Sequence, residues 1–191
     1  MKLDDELAVA HRLADAAREA IRPHFREVSP EFKGDASPVT IADREAEDAM
    51  RAILMSEYAQ DGIVGEEYPD HEGRSGRQWV LDPIDGTISF MAGRPIFGTL
   101  IALLQDGWPV LGIIDLPALD ERYVGWKGAG CRRNGQPVRE LQDAAADYVA
   151  DGNPDPFWFL GDDTPSETSE GFIANFAFVD AVLDAAEIGV L

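Results

Sequence analysis

A change of hydrophobic period near Asp61-Gly62 limits the folds open to this chain more than any other feature. Before this point, apolar residues recur at helical spacing, and after it they come in short continuous runs that are typical of strands. Residues 4–26 and a segment that begins after Thr40 are each predicted to form an amphipathic helix. The predicted strands that follow cover residues 63–64, 79–81, 99–104, 110–114 and 121–126. The first part of the chain is therefore predicted to be two helices followed by a mostly antiparallel sheet.

Local signals indicate where these elements begin and end. Pro23 is placed to bend or end the first helix. Thr40 is predicted to be the N-cap of the second helix, with Asp43 at the N3 position. Asp106-Gly107 and Asn134-Gly135 are predicted to form tight turns between strands. The apolar stripe of the second helix is predicted to run through Ile41, Met50, Ile53 and Leu54.

The charge of the chain is strongly negative, because 36 acidic residues stand against 16 basic ones and give a formal net charge of −20. Such a field repels nucleic acid and anionic membranes, so neither is expected as a partner. No apolar run approaches the ~20 residues that cross a bilayer, and the acidic N-terminus differs from a signal peptide. A single cysteine, Cys131, excludes an internal disulfide, and a cytoplasmic protein is expected.

Composition changes again after Arg139, from where the chain carries no Lys, Arg or His. Residues 151–171 are rich in Pro, Gly, Asp, Ser and Thr, and are expected to form a long loop or a disordered segment. Residues 172–191 return to a pattern compatible with a helix. We therefore expect an N-terminal α+β domain over residues 1–138 and an atypical acidic segment over residues 139–191.

The segment Asp82-Pro83-Ile84-Asp85-Gly86-Thr87 combines the residue types of a cation and phosphate site. It follows the apolar run at 79–81, so Asp82 is expected where a buried strand ends, and Pro83 is expected to force a turn. Gly86 permits a left-handed backbone, and Thr87 is predicted to open a short helix. Two carboxylates, which suit Mg²⁺, then lie beside free N–H groups that attract phosphate.

On its own, D-P-x-D-G is more typical of a simple turn, because Asp, Pro and Gly are ordinary turn residues. The surrounding sequence changes this balance. Gly-Glu-Glu at 65–67 and Trp-Val-Leu-Asp-Pro-Ile-Asp-Gly-Thr at 79–87, followed by Phe90, resemble the signatures of the inositol monophosphatase superfamily. Residues 37–43 resemble its helix-opening motif, and residues 93–103, 109–115 and 121–123 are similar to its histidinol-phosphate phosphatase branch. The resemblance covers residues 1 to about 138.

The resemblance implies a fold, a cofactor and an activity. The fold would be α/β, the layered α+β sandwich of the inositol monophosphatase and sugar phosphatase type, with the C-terminal domain reduced or truncated. The activity would be that of a phosphomonoesterase that uses Mg²⁺, two or three ions per site. Its small phosphorylated substrate would be histidinol phosphate, with inositol phosphate as the alternative. The resemblance also implies a homodimer.

Metal ligands follow from the same resemblance. It implies Glu66, Asp82 and Asp85 as acidic ligands of the metal, and the carbonyl of Ile84 as a backbone ligand. Asp184 is the candidate for the last acidic ligand, although an Asp on an amphipathic helix explains this residue equally well.

Catalytic and phosphate-binding roles also follow from it. Gly86 and Thr87 would offer amides to the phosphate. Thr87 with Asp43 would orient and activate a metal-bound water for in-line attack. Lys33 and Asp35 lie where the family has a loop that helps to hold another metal, and a solvated loop is an equally good interpretation.

Two departures from the family pattern leave an alternative open. Ile88 stands where the histidinol-phosphate branch usually has a basic residue. The second α/β domain of the family, which supplies one more ligand, cannot be followed after Arg139. A member that binds metal or a partner without turnover is therefore the second hypothesis.

Overall fold

The helical layer comes first along the chain. The computed structural model describes residues 3–27, 31–32 and 38–138, and of residues 31–32 and 38–39 it describes the backbone alone. Helix α1 spans Asp4–Ile21, a 3₁₀ turn follows over Arg22–His24, and helix α2 spans Ile41–Glu57. Pro23, which has no N–H to donate, lies in the 3₁₀ turn just after the first helix, so that helix ends before the predicted Arg26. Strands β1 (Glu31–Phe32) and β2 (Pro38–Val39) pair antiparallel between the two helices.

A seven-stranded sheet forms the second layer of the described part of the chain. Its strands are β3 (Gly62–Gly65), β4 (Arg77–Asp85), β5 (Gly98–Gln105), β6 (Trp108–Leu116), β7 (Glu121–Trp126), β8 (Gly130–Arg133) and β9 (Gln136–Pro137). They lie side by side in chain order; β3 and β4 are parallel, and every other neighbouring pair is antiparallel. A third, short helix, α3, spans Thr87–Met91 between β4 and β5. The predicted order of two helices and a mostly antiparallel sheet is confirmed.

The core lies between the two long helices and one face of the sheet. Helix α1 packs against β5 and β6, and α2 packs against β4. Residues two apart on each strand point to the same face, so alternate strand residues are buried against the helices. The buried side chains that the sheet contributes to this core include those of Trp79, Leu81, Ile101, Leu103, Leu111 and Ile113. This packing gives the end of β4 a rigid support.

The start of α2 agrees with the predicted capping box. The Asp43 carboxylate accepts hydrogen bonds from the Thr40 N–H at 2.8 Å and from the Thr40 hydroxyl at 2.5 Å. The Thr40 hydroxyl oxygen in turn accepts from the Ala42 N–H at 3.2 Å. The predicted place of Ile41 in the buried stripe is wrong, because this side chain is 47% exposed. The buried face runs instead through Ala42 and the residues that follow it at intervals of four, Ala46, Met50 and Leu54.

Strand β4 continues beyond the position at which it was predicted to end. Asp82 pairs with Leu100 and Asp85 with Gly98, so one extra residue of β4 is accommodated by a bulge between these pairs. Pro83 is tolerated there because β3 pairs with β4 only as far as Leu81, which leaves no partner strand on that side. The turn therefore comes after Asp85 rather than at Pro83.

The predicted hairpin turns are present. Asp106 and Gly107 have φ angles of 52° and 82°, and Asn134 and Gly135 have 48° and 79°, the left-handed values that tight hairpin turns require. No helix in the described ranges has the length and hydropathy needed to cross a membrane. The predictions for Lys33, Asp35, the loop at 151–171 and Asp184 lie outside the described residues.

Candidate metal and phosphate site

The backbone after β4 makes a tight turn that leads into α3. Gly86 has φ 84° and ψ 42°, a left-handed conformation that a residue with a side chain rarely adopts. A Cβ atom at this position would also lie 3.3 Å from the carbonyl oxygen of Ile96. The Thr87 hydroxyl donates to the Ile84 carbonyl at 3.1 Å, and the buried Thr99 hydroxyl donates to the Pro83 carbonyl at 2.8 Å. Glycine and these two hydroxyl groups therefore stabilise the shape of residues 83–87.

Three aromatic rings support this turn from the core. Phe90 of α3 and Phe97 before β5 meet edge to face with their centroids 4.9 Å apart. Phe25, from the end of the α1 region, contacts both rings at centroid distances of 5.7 Å and 5.1 Å. Such pairs contribute about 0.5–1.5 kcal/mol beyond the area that they bury. The short helix is thus held by aromatic packing against Phe25, which follows the 3₁₀ turn after α1.

Four of the acidic residues predicted for the site interact at the end of β4. Burial raises the pKa of Asp82 well above its usual range, and the negative charges of Glu66, Asp85 and Asp43 raise it further. A hydrogen bond between the side chains of Glu66 and Asp82 acts in the same direction. The Oδ1 atom of Asp82 is buried and accepts no hydrogen bond from the described residues. A buried polar oxygen without a hydrogen bond to the protein usually has an ion or an ordered water as its partner.

Asp43 lies in the same electrostatic neighbourhood. Its side chain is only 1% exposed. Burial raises the pKa of Asp43 to about 6, the charge of Glu66 adds to this, and the hydrogen bonds from Thr40 oppose it. One carboxylate therefore caps α2 and titrates near neutral pH.

By charge and donor type, these residues fit a divalent cation. Carboxylate oxygens are the ligands that Mg²⁺ prefers, and the neighbouring charges that act on Asp82 are all negative. As they stand, however, the described residues hold no group of three or more His, Cys, Asp or Glu side chains in metal-binding geometry. Glu66 is exposed, so its carboxylate can reorient without repacking the core. The Ile84 carbonyl uses one of its two lone pairs for Thr87, which leaves the second for another partner.

Sequence reasoning missed two residues that shape the site. Thr99 was predicted only as part of a strand, and its role depends on the bulge that brings Pro83 opposite it. Glu47 is fully buried, and its carboxylate accepts a hydrogen bond from the backbone N–H of Glu67 at 2.8 Å. A signal for Glu47 was present, because it lies four residues after Asp43 and hence on the same face of α2.

Comparisons with known proteins agree with the fold. The model of the inositol monophosphatase family matches residues 2–162. The chain is 48% identical over 140 residues to the bifunctional phosphatase IMPL2 of Arabidopsis thaliana, covering 72% of this chain and 40% of that protein. It is 41% identical over 136 residues to a histidinol-phosphatase of Chlorobaculum parvum, covering 70% of this chain and 52% of that protein.

A solved structure shows the same architecture. An inositol monophosphatase from Zymomonas mobilis superposes with a TM-score of 0.62 at 53% sequence identity, covering 73% of this chain and 54% of that one. The chain thus spans about half the length of the relatives that it matches. The predicted family and the predicted layered α/β fold are confirmed. On the family match and on this shared architecture, the chain belongs to the inositol monophosphatase family.

Proposed function

We propose that this chain is a Mg²⁺-dependent phosphomonoesterase that hydrolyses a small phosphorylated alcohol. The observation that carries the proposal is the group of interacting carboxylates of Glu66, Asp82, Asp85 and Asp43 at the end of β4, next to the left-handed turn at Gly86. Members of the family are generally metal-dependent phosphatases, which supports the same reaction class.

In this proposal, acidic oxygens hold the metal. Glu66, Asp82 and Asp85 bind it together with the carbonyl of Ile84, and Asp184 is the proposed remaining acidic ligand. A bound Mg²⁺ supplies positive charge for the phosphate oxygens and lowers the pKa of a nearby water. The number of ions, two or three, remains part of the proposal.

The backbone of the turn is proposed to bind the phosphate. Phe90 is the first residue of α3 whose N–H donates within the helix, to the carbonyl of Gly86 at 3.0 Å. The preceding amides, including that of Thr87, have no partner within the helix and can meet phosphate oxygens. Asp43, with a pKa of about 6, is proposed to accept a proton from the attacking water near neutral pH, and Thr87 to orient that water.

Histidinol phosphate is the proposed substrate, with inositol phosphate as the alternative. The Chlorobaculum relative is named as a histidinol-phosphatase, and the Zymomonas structure is that of an inositol monophosphatase. Beside the phosphate-binding turn, Ile88 is 47% exposed and offers an apolar surface to whichever alcohol is bound. The homodimer and the cytoplasmic location remain predictions from the resemblance and the composition.

Phosphate release from histidinol phosphate and from inositol phosphate, with and without Mg²⁺, tests the reaction. Asp85→Asn removes one proposed ligand charge and is expected to lower Mg²⁺-dependent release by at least about tenfold. Asp106→Asn is the matched control, because it makes the same change in an exposed hairpin turn. Release that Asp85→Asn leaves unchanged would remove the site assignment.

A metal-binding chain without turnover is the second candidate. Ile88 favours it, because this departure from the histidinol-phosphate branch concerns the substrate and leaves the proposed metal ligands in place. Mg²⁺ binding with no release from either substrate would support this candidate over the enzyme.

A further inference from the structure

A buried carboxylate on α2 lies directly behind the proposed ligand Glu66. The side chain of Glu47 is 0% exposed. Its Oε2 atom accepts a hydrogen bond from the Glu67 backbone N–H at 2.8 Å, and its Oε1 atom accepts one from Arg51 Nε at 2.7 Å. One carboxylate thus connects the interior of α2 to the backbone that follows Glu66.

The residue before Glu66 is Gly65, which has no side chain and so leaves room for the Glu47 carboxylate. A Cβ atom at Gly65 would lie 2.0 Å from Glu47 Oε1, a distance at which the two atoms cannot coexist. Only glycine lets the end of β3 lie this close to the buried carboxylate. Glu47 therefore contacts the backbone on both sides of Glu66, at Gly65 and at Glu67.

Arg51 contacts the next residue along the segment, Tyr68. Its guanidinium donates from Nη2 to the Tyr68 carbonyl at 3.2 Å and lies 5.9 Å from the centroid of the Tyr68 ring. The Arg51 side chain is 15% exposed, so its ion pair with Glu47 is largely shielded from water. We name Glu47 and Arg51 together the α2 clamp, because they hold residues 65–68 against the helix.

We propose that Glu47 is a positioning residue that holds the backbone around Glu66 and so sets where the Glu66 carboxylate stands relative to Asp82. The inference depends on the proposed function in one respect, namely that Glu66 is a ligand of the metal. Glu66 is exposed, so its carboxylate is free to turn, and a fixed backbone at residues 65–68 limits the positions from which that carboxylate can reach Asp82. Asp43 lies one turn before Glu47 on the same helix, so a single rigid element places both Asp43 and Glu66.

The energetic cost of burying the charged Glu47 side chain indicates that this residue positions the backbone near Glu66 rather than stabilises the fold. Removing a carboxylate and a guanidinium from water carries a desolvation cost, which their mutual attraction often only offsets. An apolar pair of similar volume would stabilise this region as well but would not accept the Glu67 N–H. The buried charge thus fixes the backbone position of residues 65–68, which an apolar pair would not do.

Mg²⁺ binding by the full chain, measured by isothermal titration calorimetry, tests the proposal. Glu47→Gln keeps the size of the side chain but cannot accept from both Glu67 N–H and Arg51. We expect about tenfold weaker Mg²⁺ binding, with a matching rise in the Mg²⁺ concentration for half-maximal phosphate release and little change in kcat at saturating Mg²⁺. Glu45→Gln is the control, because it removes the same charge from an exposed site of α2 that pairs with His24. Its Mg²⁺ affinity is expected to stay within about twofold of wild type.

A double-mutant cycle separates this proposal from the ligand assignment. When Glu66→Gln has already weakened Mg²⁺ binding, adding Glu47→Gln is expected to weaken it no further, because Glu47 acts through Glu66. Full additivity of the two changes would overturn the positioning role. Wild-type affinity in Glu66→Gln alone would overturn the ligand assignment and with it the basis of the inference.

Thermal unfolding in EDTA checks that the variants fold. Wild-type Mg²⁺ affinity in a folded Glu47→Gln would overturn the proposal. If that variant does not fold, Glu47→Asp replaces it, since this change keeps the charge beside Arg51 but shortens the side chain that reaches the Glu67 N–H. Weaker Mg²⁺ binding by Glu47→Asp would support the positioning role, and wild-type binding would overturn it.

Discussion

Burial and like charge act in the same direction on the acidic residues at the end of β4. Asp82 and Asp43 both have raised pKa values, in each case mainly because burial disfavours the ionised form. The neighbouring carboxylates add repulsion, so Asp82 and Asp43 bind protons more tightly in the metal-free fold than in the unfolded chain. A divalent cation would reverse this preference by favouring the ionised forms.

The contribution of Asp43 to the stability of the metal-free protein should therefore fall as the pH rises. The pKa of Asp43 is about 6 in the folded protein against an ordinary value of 3.8. Its stabilising contribution is present in full below pH 3.8 and is lost as the pH rises through about 6. The expected loss is at most about 3 kcal/mol, from about 1.4 kcal/mol for each unit of the shift.

Urea unfolding in EDTA at several values between pH 4 and pH 7 measures this loss. Asp43→Asn keeps an oxygen that accepts from Thr40 but cannot ionise in this range. The stability of wild type relative to Asp43→Asn should fall as the pH rises. A difference that stays constant or grows would contradict the raised pKa.

At the scale of elements, the first turns of α2 make two contacts that shape the site. Its capping box fixes the start of the helix through Thr40 and Asp43, and one turn later Glu47 holds the backbone next to Glu66. Strand β4 contributes the opposing side of the site through its bulge, which keeps Asp82 and Asp85 in the same strand. Two elements far apart in sequence thus present the acidic groups to one another.

Loss of the cap should destabilise α2 and leave Asp43 poorly supported. Thr40 is fully buried, and its backbone and hydroxyl groups both donate to Asp43. We expect Thr40→Ala to lower the free energy of unfolding by about 1–2 kcal/mol, measured by urea denaturation. Thr40→Ser restores the hydroxyl and should recover most of that loss; equal losses in the two variants would show that the methyl group, not the cap, is responsible.

At the scale of the whole molecule, one buried carboxylate joins the helical layer to the sheet. Asp115 of β6 is 0% exposed. Arg18 of α1 donates to its two oxygens at 2.9 Å and 2.7 Å. Arg122 of β7 donates to Oδ1 at 2.7 Å. Both guanidinium groups also reach exposed acidic residues, Asp120 for Arg18 and Asp15 for Arg122.

Removing the charge of Asp115 should lower the stability of the whole domain. Asp115→Asn leaves two largely buried guanidinium groups without their shared charge, and we expect the free energy of unfolding to fall by about 3–5 kcal/mol. Asp120→Asn is the matched control, because that side chain is 79% exposed, and it should cost less than about 1 kcal/mol. Chemical denaturation of both variants measures the difference, and similar small effects would mean that the layers are held together by apolar packing alone.

The elements and the family could be predicted because their signals are local. The helical periods, the Asp-Gly and Asn-Gly turns, the Thr40 cap and the left-handed Gly86 each depend on residues within a few positions of one another. The extension of β4 past Pro83 could not be predicted in this way. It depends on where β3 stops pairing, which is a property of the sheet.

Periodicity and turn residues were enough to predict the order of helices and strands, because both depend on short-range geometry, and the resemblance of the spaced motifs was enough to predict the family and its layered fold. Tertiary structure alone decided the contacts of Glu47 and of Asp115. Glu47 and Glu67 are 20 positions apart, and Arg18 and Asp115 are 97 apart. Their contacts arise from helix packing and strand register, which bring distant residues to hydrogen-bond distance only once the core has formed.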